Sequence, residues 1–362
     1  MTKLARKDIL QITPYLPGKP IEELKRDLGL EQVIKLASNE NALSPSKKVV
    51  SAVKNGLNQL NRYPDGSCYY LKRKLAERLG FNPANLIIGN GSDEIIGLAV
   101  RAFLNPGEEI VVARPTFLIY EIVAQIAGAR IRYVPLKNLR YNLSSMADAV
   151  TKKTKFVFIA NPDNPTGTYV TEDEVRLFLS KVPPGVIVYF DEAYFEFANF
   201  AGFPNTLKLI NKRNIITTRT FSKAYSLAGL RIGYGLANKE IINCLNRVRE
   251  PFNVNSIAQI AALAALDDRQ HLRQTLKMVK EGKKYIYKEL DKIGLKYIPS
   301  VTNFILVDVG KKTRVIFNKL LKRGIIVRDM RAWGLNKFIR VTVGTMKENK
   351  KFINALRGLL HR

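Results

Sequence analysis

Histidine and cysteine are scarce in this chain, and their scarcity removes whole classes of chemistry. The two histidines are His271, in a charged helical stretch, and His361, the penultimate residue. A Ser-His-Asp triad or a multi-histidine metal centre is thereby all but excluded. The two cysteines, Cys68 and Cys244, lie far apart without CxxC spacing, which argues against a disulfide framework and a thiolate zinc site. No apolar run approaches bilayer-spanning length, so no membrane partner is expected. The opening MTKLARKDILQITPYLPGK lacks the apolar segment of a signal peptide, and the expected location is the cytoplasm. Internal repeats and low-complexity tracts are absent as well.

Acidic residues are in deficit, 31 against 59 Lys and Arg, for a net charge of +28. Such a surplus raises the question of an anionic partner, nucleic acid included. The clearest basic stripe is Arg273, Lys277, Lys280, Lys284 and Lys288, on a helix whose other face offers Leu272, Leu276, Val279, Ile286 and Leu290 to the core. A solvated lysine face explains it. Basic residues are spread along the whole chain without a DNA-binding motif, so no specific nucleic-acid partner is expected. The remaining chemistry must use Lys, Asp, Tyr, Arg or a borrowed cofactor.

With 362 residues, 46% of them hydrophobic, the chain can bury a sizeable core in two domains. Apolar runs of strand length alternate with helical patterns through its middle. The strand candidates are Leu86–Ile88, Glu109–Ala113, Ile131–Pro135, Lys155–Ala160, Val186–Phe190 and Asn214–Thr218. Helical segments such as Glu94–Phe103, Phe117–Ala127 and Glu172–Ser180 lie between them. The expected fold class is α/β, a large domain with a mostly parallel sheet covered by helices, plus a smaller α+β domain. Residues 1–40 form an N-terminal arm and part of the small domain, 41–266 the large domain, and 267–362 the small C-terminal domain. Within the last, strands are expected at Asn303–Val309 and Phe338–Val343, a helix around Arg314–Lys322, and a loop at Arg328–Gly334.

Ligands gather at the carboxyl ends of strands in such sheets, and four expected ends carry unusual residues. Gly89-Asn90-Gly91-Ser92-Asp93-Glu94 opens a helix whose free N–H groups form an anion cradle, although Ser92 or Asp93 could merely cap it. Asn161-Pro162-Asp163-Asn164-Pro165-Thr166-Gly167 is a rigid turn that does not itself require an amide at Asn164. Asp191-Glu192-Ala193-Tyr194 ends an apolar strand in an acid that needs a cationic partner, or else caps a helix. Finally, TFSKAYSLAGLRIGY places Lys223 after Ser222 and eight residues before Arg231, a cation that would favour the neutral amine and could hold a phosphate. Together these supply a phosphate cradle, an acid for a pyridinium nitrogen, a hydroxyl and an amide near a ring oxygen, and an amine for an aldehyde. The ligand that matches is pyridoxal 5′-phosphate.

These motifs carry a resemblance that runs nearly end to end. With Tyr15-Leu16-Pro17-Gly18-Lys19-Pro20-Ile21-Glu22-Glu23-Leu24, Arg62-Tyr63-Pro64-Asp65 and Ile339-Arg340-Val341-Thr342-Val343-Gly344-Thr345, the chain resembles a fold-type I, class II aminotransferase. The YLPGKPIEEL opening and the arginines Arg328 and Arg340 point to the histidinol-phosphate aminotransferase subfamily. The resemblance implies that Lys223 forms the Schiff base, Asp191 pairs with the pyridine nitrogen, Tyr194 and Asn164 contact the ring oxygen, and Tyr120 stacks on the ring. It also implies that the cofactor phosphate rests on the amides of Ser92 and Asp93, the Ser222 hydroxyl and Arg231. Tyr63 would reach that phosphate from the neighbouring subunit, which implies a homodimer with shared active sites. Arg340 would grip the carboxylate of glutamate, and Arg328, with Arg340 and Tyr15, the distal anion. The implied reaction exchanges an amino group between histidinol phosphate, a phosphorylated amino alcohol, and 2-oxoglutarate in histidine biosynthesis.

The chain departs from the family pattern at an extra Arg331, at Trp333 where a tyrosine is expected, and at Asp163 in place of the commoner Asn. The rival readings are an aromatic or broad-specificity aminotransferase, an amino-acid-phosphate (threonine-phosphate) decarboxylase and, most distantly, a basic nucleic-acid-binding protein.

Overall fold

Two largely apolar segments, Thr154–Ala160 and Ile187–Asp191, and the threonine-rich Ile215–Thr220 form strands buried on both faces. Continuous burial of this kind belongs to the centre of a parallel sheet covered by helices on both sides. The computed structural model describes residues 4–6, 9–15, 17–198 and 200–360; Leu16 of the opening motif and His361 lie outside them. Its larger sheet has seven strands in the order Leu86–Gly89, Gly233–Leu236, Ile215–Thr220, Ile187–Asp191, Thr154–Ala160, Glu109–Arg114 and Arg130–Pro135. From Ile215–Thr220 outward every pairing is parallel. Gly233–Leu236 runs antiparallel to both its neighbours.

That antiparallel strand is absent from the sequence-based expectation because two of its four residues are glycine, which patterning reads as loop. Close packing requires the first of them. A Cβ on Gly233 would lie 2.6 Å from the Ser92 nitrogen and 2.9 Å from the Arg219 carbonyl oxygen.

The second sheet has five strands in the order Ile34–Leu36, Ile325–Asp329, Phe338–Thr342, Phe304–Asp308 and Tyr297–Ile298. Ile34–Leu36 pairs parallel with Ile325–Asp329, so residues before 40 do join this sheet. One expectation is corrected here. Arg328 belongs to a strand, not to the loop, because Ile325 and Val327 are buried in the second core and Ile326 in a smaller cluster with Leu24 and Ala37; the irregular turn follows at Arg331–Trp333. Each sheet has its own apolar cluster, one around Phe156, Phe158 and Tyr189, the other around Ile305, Val341 and Phe352.

The helix Arg269–Lys292 buries Val279, Ile286 and Leu290 and exposes Arg273, Lys277, Lys280, Lys284 and Lys288. Its basic stripe is thus a solvated face. Among the described residues no helix is long and apolar enough to cross a membrane.

Behind the Asp191 turn lies a buried ion pair. Arg219 Nε donates to Glu192 Oε2 at 2.8 Å, and Thr206 donates to Glu192 Oε1 at 2.5 Å. The Arg219 guanidinium also sits 3.3 Å from the Phe195 ring centroid. Deleting one partner strands a desolvated charge. Glu192→Ala is expected to cost about 3–5 kcal/mol, read as a lowered urea midpoint. An unchanged midpoint would mean that solvent reaches the pair.

Candidate active site

The carboxyl ends of the parallel strands open onto a cavity of about 350 Å³. Lined jointly by residues of both sheets, it contains every sequence-designated site residue except Tyr63. Tyr63 is 82% exposed on a different part of the surface, stacked on Phe252 at 4.7 Å between ring centroids.

Ser92 opens the helix Ser92–Phe103 directly after Gly91, whose φ of 81° only glycine adopts readily. No side chain caps this helix, so the capping explanation for Ser92 and Asp93 falls. Its first N–H groups have no acceptor within the helix. A Cβ on Gly91 would lie 2.7 Å from Arg231 Nη2, which shows how closely Arg231 approaches this turn. Arg231 Nη1 reaches the Ser222 hydroxyl at 3.5 Å, and Nη2 reaches the Asp93 carboxylate at 3.4 Å. Two backbone donors, a hydroxyl and a guanidinium therefore converge on one corner. That donor set suits a phosphate.

Asp191 ends its strand almost fully buried, and burial pushes its carboxyl up to about 6. The Tyr120 hydroxyl donates to Oδ2 at 2.8 Å and the Ala193 N–H to Oδ1 at 3.2 Å. Asp191 caps no helix, and no cation lies within ion-pair distance of it among the described residues. A buried acid in this state is set to meet a protonated ligand atom.

Lys223 follows its strand by three residues and is partly buried, with Nζ donating to the Ser38 carbonyl at 3.3 Å. Burial lowers its amine to about 8, and the next contribution comes from Arg340. Arg231, the cation that sequence proximity suggests, contributes less. Tyr194 is buried, and its hydroxyl accepts from Asn39 Nδ2 at 2.8 Å. That bond leaves the phenolic proton free to be donated elsewhere.

Asn39 was not singled out from the sequence. It lies in the Ser38-Asn39-Glu40 stretch after the strand Ile34–Leu36 and has a φ of 55°, and Asn303 donates to its carbonyl at 3.0 Å. The available signal was an Asn in a polar turn directly after a strand.

Arg328 and Arg340 are direct partners on adjacent antiparallel strands, so their side chains leave the sheet on the same face. Like charges placed opposite each other are unfavourable unless something compensates them. Arg340 is buried, and burial lowers its pKa, with Arg328 lowering it further. It donates through Nη1 to Asn164 Oδ1 and through Nη2 to the Ala37 carbonyl at 3.1 Å, while its buried Nε has no partner. Because Asn164 gives its oxygen to Arg340, only its NH₂ remains to meet a ligand. The Arg328 guanidinium lies 5.7 Å from the Tyr15 ring and 5.0 Å from the Trp333 ring. Arg331 turns onto Asp329 and lines no part of the cavity.

Asp163 sits fully buried behind Asn164. Its Oδ2 accepts from the Thr166 hydroxyl at 2.6 Å and the Thr166 N–H at 3.1 Å, and its Oδ1 has no partner. Burial raises the carboxyl from 3.8 to about 7. Between those pH values the folded state keeps a proton that the unfolded chain has released, so this group's contribution falls as pH rises through the window. An amide would place its carbonyl on Thr166 and its NH₂ at the unpartnered position. Asp163→Asn is therefore expected to raise stability at pH 8 by on the order of 1 kcal/mol and to flatten the decline between pH 4 and 7. Parallel melting curves for the two proteins across that range would expose an error.

A lysine amine lowered to about 8, a buried acid and an anion corner meeting at the carboxyl edge of a helix-covered sheet suit an enzyme that exchanges amines on a carbonyl group. The chain belongs to the aminotransferase class I and II family, whose model matches residues 31–356. It is 51% identical over 357 residues to the histidinol-phosphate aminotransferase of Moorella thermoacetica, covering 98% of this chain and 92% of that one. It is 47% identical to histidinol-phosphate aminotransferase 2 of Carboxydothermus hydrogenoformans, covering 99% of each. Among solved structures it is similar to histidinol-phosphate aminotransferase from Sinorhizobium meliloti in complex with pyridoxal 5′-phosphate, at a TM-score of 0.90 and 30% identity. That match covers 98% of this chain and 97% of the other.

Proposed function

We propose that this protein transfers an amino group between histidinol phosphate and 2-oxoglutarate in histidine biosynthesis, using pyridoxal 5′-phosphate bound at Lys223. The observation that carries this reading is the in-register pair Arg328 and Arg340 beside the Lys223 amine. Two guanidinium forks can serve two substrates that each carry an anion away from the reacting carbon. The relatives' names support the same substrate.

The residues present fit the cofactor. The Ser92 and Asp93 amides, the Ser222 hydroxyl and Arg231 would hold its phosphate, in a corner kept open by Gly91 and Gly233. Bound there, pyridoxal 5′-phosphate supplies an aldehyde carbon for amine exchange and a ring that delocalises the electron pair left when the substrate carbon loses its proton. Asp191 holds a proton at the ring nitrogen, and Tyr120 steadies the acid through Oδ2. The Tyr120 ring is fully buried and stacked on Phe158 at 4.9 Å between centroids, so it backs the acid and is not free to stack on the cofactor as the resemblance implies; Phe117, edge-on to Tyr120, is the aromatic beside it that lines the cavity. Tyr194, with its oxygen occupied by Asn39, donates its proton to the ring oxygen together with the Asn164 NH₂. Lys223, its amine lowered to about 8 by burial, would hold the aldehyde carbon and, once freed, would move the proton at the substrate carbon as base and acid. Arg340 takes the carboxylate of glutamate, and Arg328 with Tyr15 the distal phosphate or carboxylate.

The proposal extends to assembly and place. Tyr63 would serve the active site of a second copy in a homodimer. Its exposure, stacked on the likewise exposed Phe252, supports that role. The large domain would be 41–266 and the small one 267–362 with the arm 1–40, working in the cytoplasm.

Coupled assays with histidinol phosphate, phenylalanine and threonine phosphate, each with 2-oxoglutarate, test the substrate. Histidinol phosphate is expected to be preferred by kcat/KM. A preference for phenylalanine would overturn the proposal in favour of an aromatic enzyme, and release of carbon dioxide from threonine phosphate would favour a decarboxylase.

A further inference from the structure

A second cavity, of about 400 Å³, adjoins the first, and Arg328 and Tyr15 line both. Trp333 lines only the second. We propose that Trp333 determines specificity: by backing the Arg328 guanidinium where the two cavities meet, it holds that fork in position to serve the Lys223 cavity, selecting substrates with a distal anion. This rests on the reading of Arg328 as the distal-anion ligand.

Three observations carry the inference. The Trp333 ring supports the guanidinium at 5.0 Å, on the wall of the second cavity. Its tilt is fixed, because indole Nε1 donates to the Thr116 carbonyl at 3.0 Å. Thr116 is itself anchored, its hydroxyl bonded to that of buried Tyr141 at 2.5 Å. The ring body is packed with Leu306 and Met330, with only 7% of Trp333 exposed. Arg328 is half-buried, with Tyr15, 41% exposed, as its other aromatic neighbour. Of the two rings flanking the guanidinium, the rigid one is the indole. Without it, the space of the indole opens beside the guanidinium, and each encounter with an anionic substrate must first recover the braced position.

The test compares histidinol phosphate with histidinol, which differ only in the distal anion, using the cofactor-loaded enzyme and its Trp333→Ala, Trp333→Phe and Arg328→Ala variants. Trp333→Ala is expected to lower the preference for the phosphorylated substrate about tenfold, the scale of a lost partly desolvated cation–π contact. The loss should appear as a raised KM for histidinol phosphate, with kcat falling less. Trp333→Phe keeps an aromatic face and apolar fill but loses the bond to Thr116, so it is expected to lose about threefold. General destabilisation would affect both substrates alike and leave the ratio unmoved. If Arg328→Ala collapses the ratio while both Trp333 variants preserve it, the inference fails and the reading of Arg328 stands. If Arg328→Ala also preserves it, both fail. Should Trp333→Ala not fold, an unchanged ratio in Trp333→Phe overturns the inference.

Discussion

Lys223→Met is expected to lower kcat by at least about 10⁴-fold, the upper range of what one positioned acid–base group supplies. The loss should be large because Lys223 holds two roles in the proposed reaction, bonding the cofactor aldehyde and moving the substrate proton. With cofactor added, the wild-type protein should show a visible absorption band that the variant lacks. The same substitution is expected to leave the cofactor-free fold intact, or to stabilise it by about 1 kcal/mol after allowance for partial solvent access. The sign follows from the amine's depressed pKa of about 8 against 10.5 for the unperturbed group. Below about pH 8 the protonated amine is fully disfavoured by burial, and the penalty fades as pH approaches 10.5. The stability gain should therefore be largest at or below pH 8 and shrink above it. A variant that keeps turnover within tenfold would remove Lys223 from the chemistry altogether.

Arg340→Lys is expected to reduce kcat/KM for both substrates by about 30- to 100-fold, because an ammonium cannot make the paired bonds of a guanidinium fork. The substitution also gives up the donors that Arg340 supplies to Asn164 and to the Ala37 carbonyl. Arg340→Ala adds a second readout. Arg340 is the charge that most lowers the Lys223 amine, so its removal should let that amine rise toward its ordinary value. The pH at which free Lys223 loses its proton is then expected to move alkaline in the alanine variant and to stay lower in the lysine variant, which keeps a positive charge. Identical profiles for wild type and Arg340→Ala would show that burial alone sets the amine.

Much of this site is legible in the sequence because its parts lie at the ends of apolar strands, where segment order places them on one edge. Asp191 ends a strand, Lys223, Asn164 and Ser92 each follow one, and all four line one cavity. What stays hidden is cross-chain. Asn39 reaches Tyr194, and Tyr120 reaches Asp191, across separations that no local pattern encodes. The same limit misassigned the cation acting on Lys223: Arg231 is close in sequence, but Arg340 acts more strongly in space. The fold was legible where strands are apolar throughout. It was missed at Gly233–Leu236, whose glycines answer to neighbouring backbone, and at Ile325–Asp329, whose last residues are polar and read as loop. Tyr63 resembles a site residue in sequence yet does not line the cavity of its own chain.

The register pairing of Arg328 with Arg340 makes the sheet a measuring device. The distance between the two proposed anion grips at their roots is the spacing of directly opposed residues on adjacent strands, about 5 Å between Cβ atoms, and the backbone ladder does not let it stretch. Selection for a longer or shorter substrate therefore has little purchase on the strands themselves. A one-residue slip would throw one arginine to the opposite face and abolish the pair. Only the reach and tilt of the side chains remain adjustable, so related enzymes with other substrate lengths should differ in the rings that brace these arginines before they differ in the strands that carry them.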